Sequence, residues 1–167
     1  MILIREARES EWEAIRNQRM DAYKEHSTAI PQEHWELLKQ ALFSGADVEA
    51  GAELLVADLD GEIVGSVVLC PENIDSYKGL TDLSAYPEIR MLAVMKDARK
   101  QGVAEALINE CFKRARDREK KAIGLHTADF MISAMKLYTR LGFERVPEQD
   151  FEPANDGVIV KAFRYTL

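Results

Sequence analysis

The spacing of apolar and polar residues along the chain predicts several strands. Apolar or alternating runs at 2–7, 54–57, 63–69 and 122–126 are typical of strands buried on one or both faces. Leu59-Asp60-Gly61 separates the second and third runs and indicates a tight hairpin between them. These runs predict a sheet that includes at least one antiparallel pair.

A further strand is predicted at residues 88–94, where two apolar sets alternate around one arginine. Ile89, Met91 and Ala93 alternate there with Arg90, Leu92 and Val94. So few polar positions favour a strand buried on both faces, near the centre of a sheet.

Helical spacing is clearest after Gly102, where apolar residues recur every three or four positions and charged residues fill the opposite face. The apolar face consists of Val103, Leu107, Ile108, Cys111, Phe112 and Ala115. This pattern predicts a long surface helix packed on a sheet.

Three shorter helices complete the pattern. A Ser10–Glu13 capping box opens the first, the second follows Pro31, and the third covers residues 130–140 before Gly142. Closing strands at 143–146 and 158–165 follow. The order predicts one α/β domain over residues 1–167, a mixed sheet of about seven strands with helices on both faces.

The start of the long helix predicts a binding site for phosphate. The first amides of a helix lack intrahelical partners, and the helix dipole places partial positive charge there. Gly102 and Ala104 are small enough to let a pyrophosphate approach, and Arg99 and Lys100 add positive charge just before them. An anionic cofactor is therefore expected at this turn.

Three segments in order carry a resemblance to a known family. They are Glu88-Ile-Arg-Met-Leu-Ala-Val94, Arg99-Lys-Gln-Gly-Val-Ala104 and Leu137-Tyr-Thr-Arg-Leu-Gly-Phe143. Together they resemble the GCN5-related N-acetyltransferase (GNAT) family, over roughly residues 50–146. The resemblance implies acetyl-CoA as co-substrate, no metal, and a central strand that splays from its parallel neighbour at a bulge.

The resemblance also assigns coenzyme contacts. It implies that the backbone of Leu92, Ala93 and Val94 binds the pantetheine arm. The turn that would hold the pyrophosphate comprises Arg99, Lys100, Gln101, Gly102, Val103 and Ala104. The chain departs from the pattern at Met131, where many members have an asparagine that helps to hold the coenzyme.

Two residues are candidates for acid–base catalysis. Glu88 begins the central strand and is the expected base, acting directly or through a water; it could instead bind the acceptor ammonium or be merely solvated. Tyr138 matches the general acid of the family and is expected to protonate the departing thiolate, although its spacing to Leu141 also suits simple packing. No residue is a convincing covalent nucleophile.

The acceptor-binding residues are less clearly marked. His126 ends a strand at the side where open α/β sheets bind ligands, and Tyr23, Trp35 and Tyr77 could line a pocket. Each of these has an alternative structural role. The other two histidines, His26 and His34, do not have the spacing of metal ligands and are expected at the surface.

Composition limits the partners. The net charge of −7 argues against a nucleic-acid surface and slightly favours a small cationic amine as acceptor. Cys70 and Cys111 do not have the spacing of metal ligands or of a redox pair. They are expected to be reduced core residues of a cytoplasmic protein. No signal peptide or apolar run of membrane-spanning length is predicted.

The sequence therefore predicts an acetyl-CoA-dependent N-acetyltransferase that acts on a primary amine of a small or peptide acceptor, by direct attack in a ternary complex. The alternative is a non-catalytic module that binds or senses acyl-CoA. The resemblance also implies a possible homodimer. The acceptor and the length of the acyl group stay open.

Overall fold

The computed structural model describes residues 1–49, 51–74 and 79–167. They contain a seven-stranded sheet of order β1-β2-β3-β4-β5-β7-β6. The strands are β1 (Ile2–Glu6), β2 (Glu53–Leu59), β3 (Glu62–Cys70), β4 (Glu88–Val94), β5 (Ala122–Ala128), β6 (Glu144–Arg145) and β7 (Val160–Thr166). β4 and β5 are parallel, and the other neighbouring pairs are antiparallel. The predicted mixed sheet in an α/β fold is confirmed.

In the part of the chain that the structure describes, four α-helices cover the two faces of the sheet. They are α1 (Trp12–Tyr23), α2 (Gln32–Phe43), α3 (Val103–Asp117) and α4 (Ile132–Leu141). Leu55 and Val67 belong to the buried cluster of α3 and Tyr138, whereas Val56 and Val68 pack with Ile15 of α1. This alternation of the sheet residues is what the twofold side-chain period of a strand produces.

The hairpin between β2 and β3 turns where predicted. Asp60 and Gly61 both have positive φ, 54° and 94°, as the two-residue turn favoured by the strand twist requires. The predicted Ser10–Glu13 capping box is wrong. The carboxylate of Glu11 instead accepts the backbone N–H of Arg8 at 2.8 Å, and residues 9–11 form a 3-10 turn before α1.

A β-bulge in β4 shapes the centre of the sheet. Ser66 pairs with Ala93 and Val68 pairs with Arg90, so two residues of β4 face one residue of β3. Met91 lies in this bulge with φ 54°, a conformation that is uncommon for a residue with a side chain. The bulge redirects the second half of β4.

The neighbouring strands separate just before the bulge. β4 and β5 pair only at Glu88 with Gly124 and at Ile89 with Leu125. Beyond Ile89 the two strands diverge, although both continue for several residues. The sheet thus has a gap at the carboxyl ends of its only parallel pair in the described chain, where α/β sheets bind ligands.

Within the described residues, no helix is both long enough and apolar enough to cross a bilayer. Cys70 and Cys111 are both free and buried. Burial raises the pKa of the Cys111 thiol to about 12, which makes it a poor nucleophile at neutral pH.

Candidate active site

The first of two clefts at the gap has a volume of about 700 Å³. It is formed by the end of α1, the second half of β4, the start of α3 and the start of α4. All residues predicted to bind the coenzyme line it, with the exception of Gln101; these are Leu92, Ala93, Val94, Arg99, Lys100, Gly102, Val103 and Ala104. The Gln101 side chain is instead bonded to the carbonyl of Asp97 at 3.1 Å.

The N-terminus of α3 is open toward this cleft. Gly102 is the N-cap residue, and no side chain caps the helix. Its φ of 82° favours glycine, while a Cβ there would meet no atom within 4 Å. Glycine is therefore required by the backbone turn, and the space before the first helical amides is clear. These features fit a phosphate group.

Arg99, predicted to bind phosphate, already has an anionic partner. Its guanidinium bonds to both carboxylate oxygens of Glu25, at 2.9 and 2.8 Å, and Glu25 lies in the 3-10 turn that follows α1. The bonded Arg99 guanidinium lowers the pKa of the Glu25 carboxyl. A phosphate that uses Arg99 must compete with Glu25 for it.

Met131, where the family often has asparagine, is the N-cap residue of α4 and lines both clefts. The hydroxyl of Thr127 lies 3.6 Å from its sulfur. A thioether accepts hydrogen bonds weakly and donates none. Met131 can therefore pack against a coenzyme arm but cannot replace the hydrogen bonds of an asparagine amide.

The second cleft, of about 390 Å³, adjoins the first and is called the acceptor pocket below. Tyr23, Leu92, Phe130 and Met131 line both. The pocket is bounded by α2, by the diverging parts of β4 and β5, and by Phe151, Pro153 and Ala154. Its size lies at the lower end of the range for small-molecule sites.

Two tyrosines meet in the acceptor pocket. Tyr138 is 6% exposed, and its hydroxyl has no hydrogen-bond partner among the described residues. Burial, followed by the nearby phenol of Tyr23, raises the pKa of Tyr138, so this phenol stays protonated at neutral pH. The hydroxyl of Tyr23 donates to the carbonyl of Leu92 at 3.1 Å, and burial raises the pKa of Tyr23 to about 12.

Glu88 does not line either cleft in the described part of the chain; it lies behind His126. Its carboxylate is 3.7 Å from Nδ1 of His126, and both side chains are largely buried. His126 lines the acceptor pocket, with Nε2 located 3.2 Å from the carbonyl of Gln149. A carbonyl only accepts, so Nε2 carries a hydrogen, and Nδ1 faces Glu88.

The other predicted acceptor residues are distributed differently. Tyr23 lines the pocket as expected, whereas Trp35 packs in the core with Ile30 and Val158. Tyr77 lies outside the described residues.

His34 was expected at the surface, but it is buried at the pocket wall and bonded to Asp156 at 2.9 Å. Its position in α2, one residue before the buried Trp35, was the only sequence signal for this. The described residues contain no group of three potential metal ligands.

Comparison with known proteins gives a family and a fold. The model of the acetyltransferase (GNAT) family matches residues 6–143. Human N-acetyltransferase 8B is 29% identical over 103 residues, which are 62% of this chain and 43% of that protein. Human N-acetyltransferase 8 is 28% identical over the same lengths. The matched segment thus spans less than half of these curated relatives.

Solved structures share the whole architecture at low sequence identity. A GNAT-family acetyltransferase from Staphylococcus aureus Mu50 superposes with a TM-score of 0.73 at 17% identity, over 100% of this chain and 99% of that one. Arabidopsis thaliana NAA60, solved with a bisubstrate analogue, gives 0.64 at 20% identity, over 99% and 98%. At such identities the likeness establishes the fold alone.

Proposed function

Because the chain belongs to the GNAT family of acetyltransferases, we propose that it transfers an acetyl group from acetyl-CoA to a primary amine, by direct attack in a ternary complex. The observation that carries this proposal is the meeting of two clefts where β4 and β5 diverge. One cleft contains an uncapped helix N-terminus suited to phosphate, and the other contains candidate acid and base residues. A thioester at the junction would lie between them.

The larger cleft is assigned to the coenzyme. The amides at the start of α3, with Lys100, would hold the pyrophosphate, and Arg99 would join them after leaving Glu25. The gap separates the backbone of Leu92 to Val94 from β5, so the amides on this edge would bind the pantetheine arm as an added strand, while the Leu92 carbonyl accepts the Tyr23 hydroxyl. These assignments follow the family pattern and fit the open geometry of the cleft.

Proton removal is assigned to the Glu88–His126 pair. A lysine-like amine with a pKa of about 10.4 must lose its proton at a cost of about 4.6 kcal/mol at pH 7. Glu88 lies behind His126, so we propose that a water in the pocket passes the proton to this pair, in which the Glu88 carboxylate stabilises the positive charge on the ring. Glu88 is then a positioning residue.

The acetyl group moves as the amine nitrogen bonds to the carbonyl carbon and the carbon–sulfur bond breaks, which releases a thiolate. Tyr138 is assigned as the donor to this sulfur. A thiol has a pKa of about 8.5, below that of a phenol. Since the pKa of Tyr138 is raised further, complete proton transfer from it is uphill. Its main contribution is therefore a hydrogen bond to the developing thiolate.

The proposal is tested by calorimetric binding of acetyl-CoA, run together with thiol release across a panel of amines. Two variants at Ala104 sharpen the binding measurement. Ala104→Glu places a carboxylate beside the pyrophosphate, whereas Ala104→Gln adds nearly the same volume without charge. An acidic residue in the first turn of a helix stabilises the helix. A lower affinity of Ala104→Glu for acetyl-CoA would therefore not result from a less stable fold.

We expect Ala104→Glu to bind acetyl-CoA at least tenfold more weakly than Ala104→Gln, and at least one amine to give thiol release. Equal affinity of the two variants for acetyl-CoA would show that the pyrophosphate does not bind at this turn. Binding without release from any amine would favour the module that senses acyl-CoA, and absence of binding would exclude both functions.

A further inference from the structure

Acylation of an amine removes two protons from the same nitrogen. The acceptor ammonium loses the first before it attacks, and this proton is assigned to the Glu88–His126 pair. The second proton is on the nitrogen of the tetrahedral intermediate, and it must leave for an amide to form. Tyr138 is assigned as a hydrogen-bond donor to the sulfur, so it does not accept this proton. A second base in the acceptor pocket would accelerate the step.

His34 of α2 has the geometry of such a base. It lines the acceptor pocket with a side chain that is only 8% exposed, and its Nδ1 is 2.9 Å from Oδ2 of Asp156. A carboxylate accepts hydrogen bonds and donates none, so Nδ1 carries a hydrogen, and the lone pair of the ring in its neutral form is on Nε2. Nε2 has no hydrogen-bond partner among the described residues. This buried ring therefore offers an unused proton acceptor at the pocket wall.

The carboxylate of Asp156 is itself held in position. Its Oδ1 accepts the backbone N–H of Val158 at 3.1 Å, while Oδ2 faces His34. Burial raises the pKa of the Asp156 carboxyl, but the hydrogen bonds from Val158 and His34 outweigh burial and lower it. A carboxylate behind an imidazole fixes the tautomer of the ring and stabilises the imidazolium that forms when Nε2 accepts a proton.

His34 differs in this respect from His126, the other histidine that lines the pocket in the described chain. Nε2 of His126 is bonded to the carbonyl of Gln149, and its Nδ1 faces Glu88. Both ring nitrogens of His126 are thus directed at groups of the protein. A nitrogen bound in the pocket can reach Nε2 of His34 without an intervening water.

We propose that His34 is a second catalytic base, whose Nε2 takes the proton from the nitrogen of the tetrahedral intermediate, with Asp156 as its positioning residue. In this step the N–H bond breaks and its electron pair stays on nitrogen, the oxyanion re-forms the carbonyl, and the carbon–sulfur bond breaks. The imidazolium then gives its proton to water. Over the whole reaction the nitrogen loses two protons, the sulfur gains one, and water takes the other. This inference rests on the proposed function and adds a residue to it.

The first test is Asp156→Asn. The amide oxygen of asparagine can still accept the Val158 N–H, but the amide nitrogen then faces Nδ1 of His34 and donates to it, so the hydrogen of the neutral ring moves to Nε2. We expect kcat to fall about tenfold or more. KM for the amine should change little, and so should the calorimetric affinity for acetyl-CoA, because His34 does not line the coenzyme cleft. The amine used is the one with the most thiol release among 2-phenylethylamine, leucinamide, lysine and spermidine.

His34→Ala gives a second test that depends on basicity rather than on shape. Imidazole added to the assay should restore part of the lost kcat, whereas pyrazole, an isomer of the same shape and a far weaker base, should not. The rate without enzyme is subtracted, and the unmodified enzyme is the control, because its own His34 leaves no space for either compound. Equal effects of imidazole and pyrazole on His34→Ala would overturn the inference.

A measurement on the unmodified protein decides the matter if neither variant folds. NMR spectra of isotope-labelled histidine, recorded at about pH 9 where a histidine is neutral, should show His34 with its hydrogen on Nδ1 and a lone pair on Nε2. A hydrogen on Nε2 would overturn the inference.

An unchanged kcat in Asp156→Asn would also overturn the inference and leave the acetyltransferase proposal intact. A raised KM for the amine with an unchanged kcat would do the same, since it would show that His34 only shapes the pocket wall. Thiol release with none of the amines would overturn both.

Discussion

At the residue scale, Tyr138 is the most direct test of the assigned chemistry. Tyr138→Phe removes only the hydroxyl, which has no hydrogen-bond partner in the described chain, so the fold should be unaffected. We expect kcat to fall by about one to two orders of magnitude with unchanged coenzyme affinity, because the donor to the leaving sulfur is lost. Tyr165→Phe, in the aromatic stack on Phe112, is the matched control.

The pH profile adds a second readout for Tyr138. An acid must be protonated to act, and the pKa of Tyr138 is raised. No loss of kcat due to this residue should therefore occur below about pH 10. An alkaline decline below that pH which disappears in Tyr138→Phe would contradict the assignment.

The Arg99–Glu25 pair gives a second prediction at this scale. Glu25→Gln releases Arg99 and removes a carboxylate from the phosphate cleft, so acetyl-CoA should bind several-fold more tightly by calorimetry. The effect is limited because both side chains are partly exposed. Glu36→Gln, which breaks an exposed pair with Lys39, should change nothing. Weaker binding in Glu25→Gln would show that Glu25 orients Arg99 for the coenzyme.

Individual residues were predictable from the sequence only where local geometry decides their role. Gly102 was identified because a turn into a helix has a local signature. The partner of Arg99 lies 74 positions away, and His126 meets Glu88 through the register of two parallel strands. Contacts between residues so far apart produce no periodic pattern in the sequence. The sequence therefore predicted Glu88 at the acceptor and Arg99 at the phosphate, but it did not predict that they contact His126 and Glu25.

At the scale of elements, a buried ion pair joins α1 to the segment after α2. Arg19 and Asp47 are fully buried and 3.1 Å apart, and Arg19 also donates to the carbonyl of Leu42 at 2.8 Å. Arg16 adds a second, partly exposed contact to Asp47. Burial, opposed by Asp47, lowers the pKa of Arg19. Asp47 thus fixes the helices that form one wall of the acceptor pocket.

Asp47→Ala leaves the buried Arg19 cation without its carboxylate. We expect a loss of about 3–5 kcal/mol in the free energy of unfolding, measured by urea denaturation. Arg16→Gln keeps the Arg19–Asp47 pair and removes only a partly exposed contact, so its loss should be about 1 kcal/mol or less. Equal losses in the two variants would show that burial of the pair is not what stabilises this wall.

Most of the helices and strands could be predicted from the sequence. α3 could be predicted because its apolar face repeats with helical period, and the β2–β3 hairpin because Asp-Gly favours its turn. The bulge at Met91 could be expected only from the family resemblance, because a positive φ at methionine is imposed by tertiary structure. That bulge, rather than any motif, opens the gap in which the site lies.

At the scale of the whole molecule, carboxylates paired in the folded state should make stability depend on acid pH. Glu11 accepts two hydrogen bonds from Arg5, at 2.9 and 3.0 Å, and one from the Arg8 backbone. These bonds lower its pKa from 4.5 to about 2. The pKa values of Glu72, Asp150 and Asp156 are lowered as well.

A carboxyl whose pKa is lower in the folded state binds its proton more readily when the chain unfolds. Its stabilising contribution is therefore present above about pH 4.5 and is lost as pH falls toward about 2. Urea unfolding at intervals across this window should show a steady decrease in the free energy of unfolding as pH falls.

Glu11→Gln should make part of that decrease smaller, because it removes one proton from the difference in proton binding between the unfolded and folded states. Glu33→Gln, at an exposed carboxylate without an ion pair in the described chain, should keep the full slope. If Glu11→Gln keeps that slope too, the bonds of Glu11 to Arg5 and Arg8 contribute nothing to folding, and β1 is held to the start of α1 by packing alone.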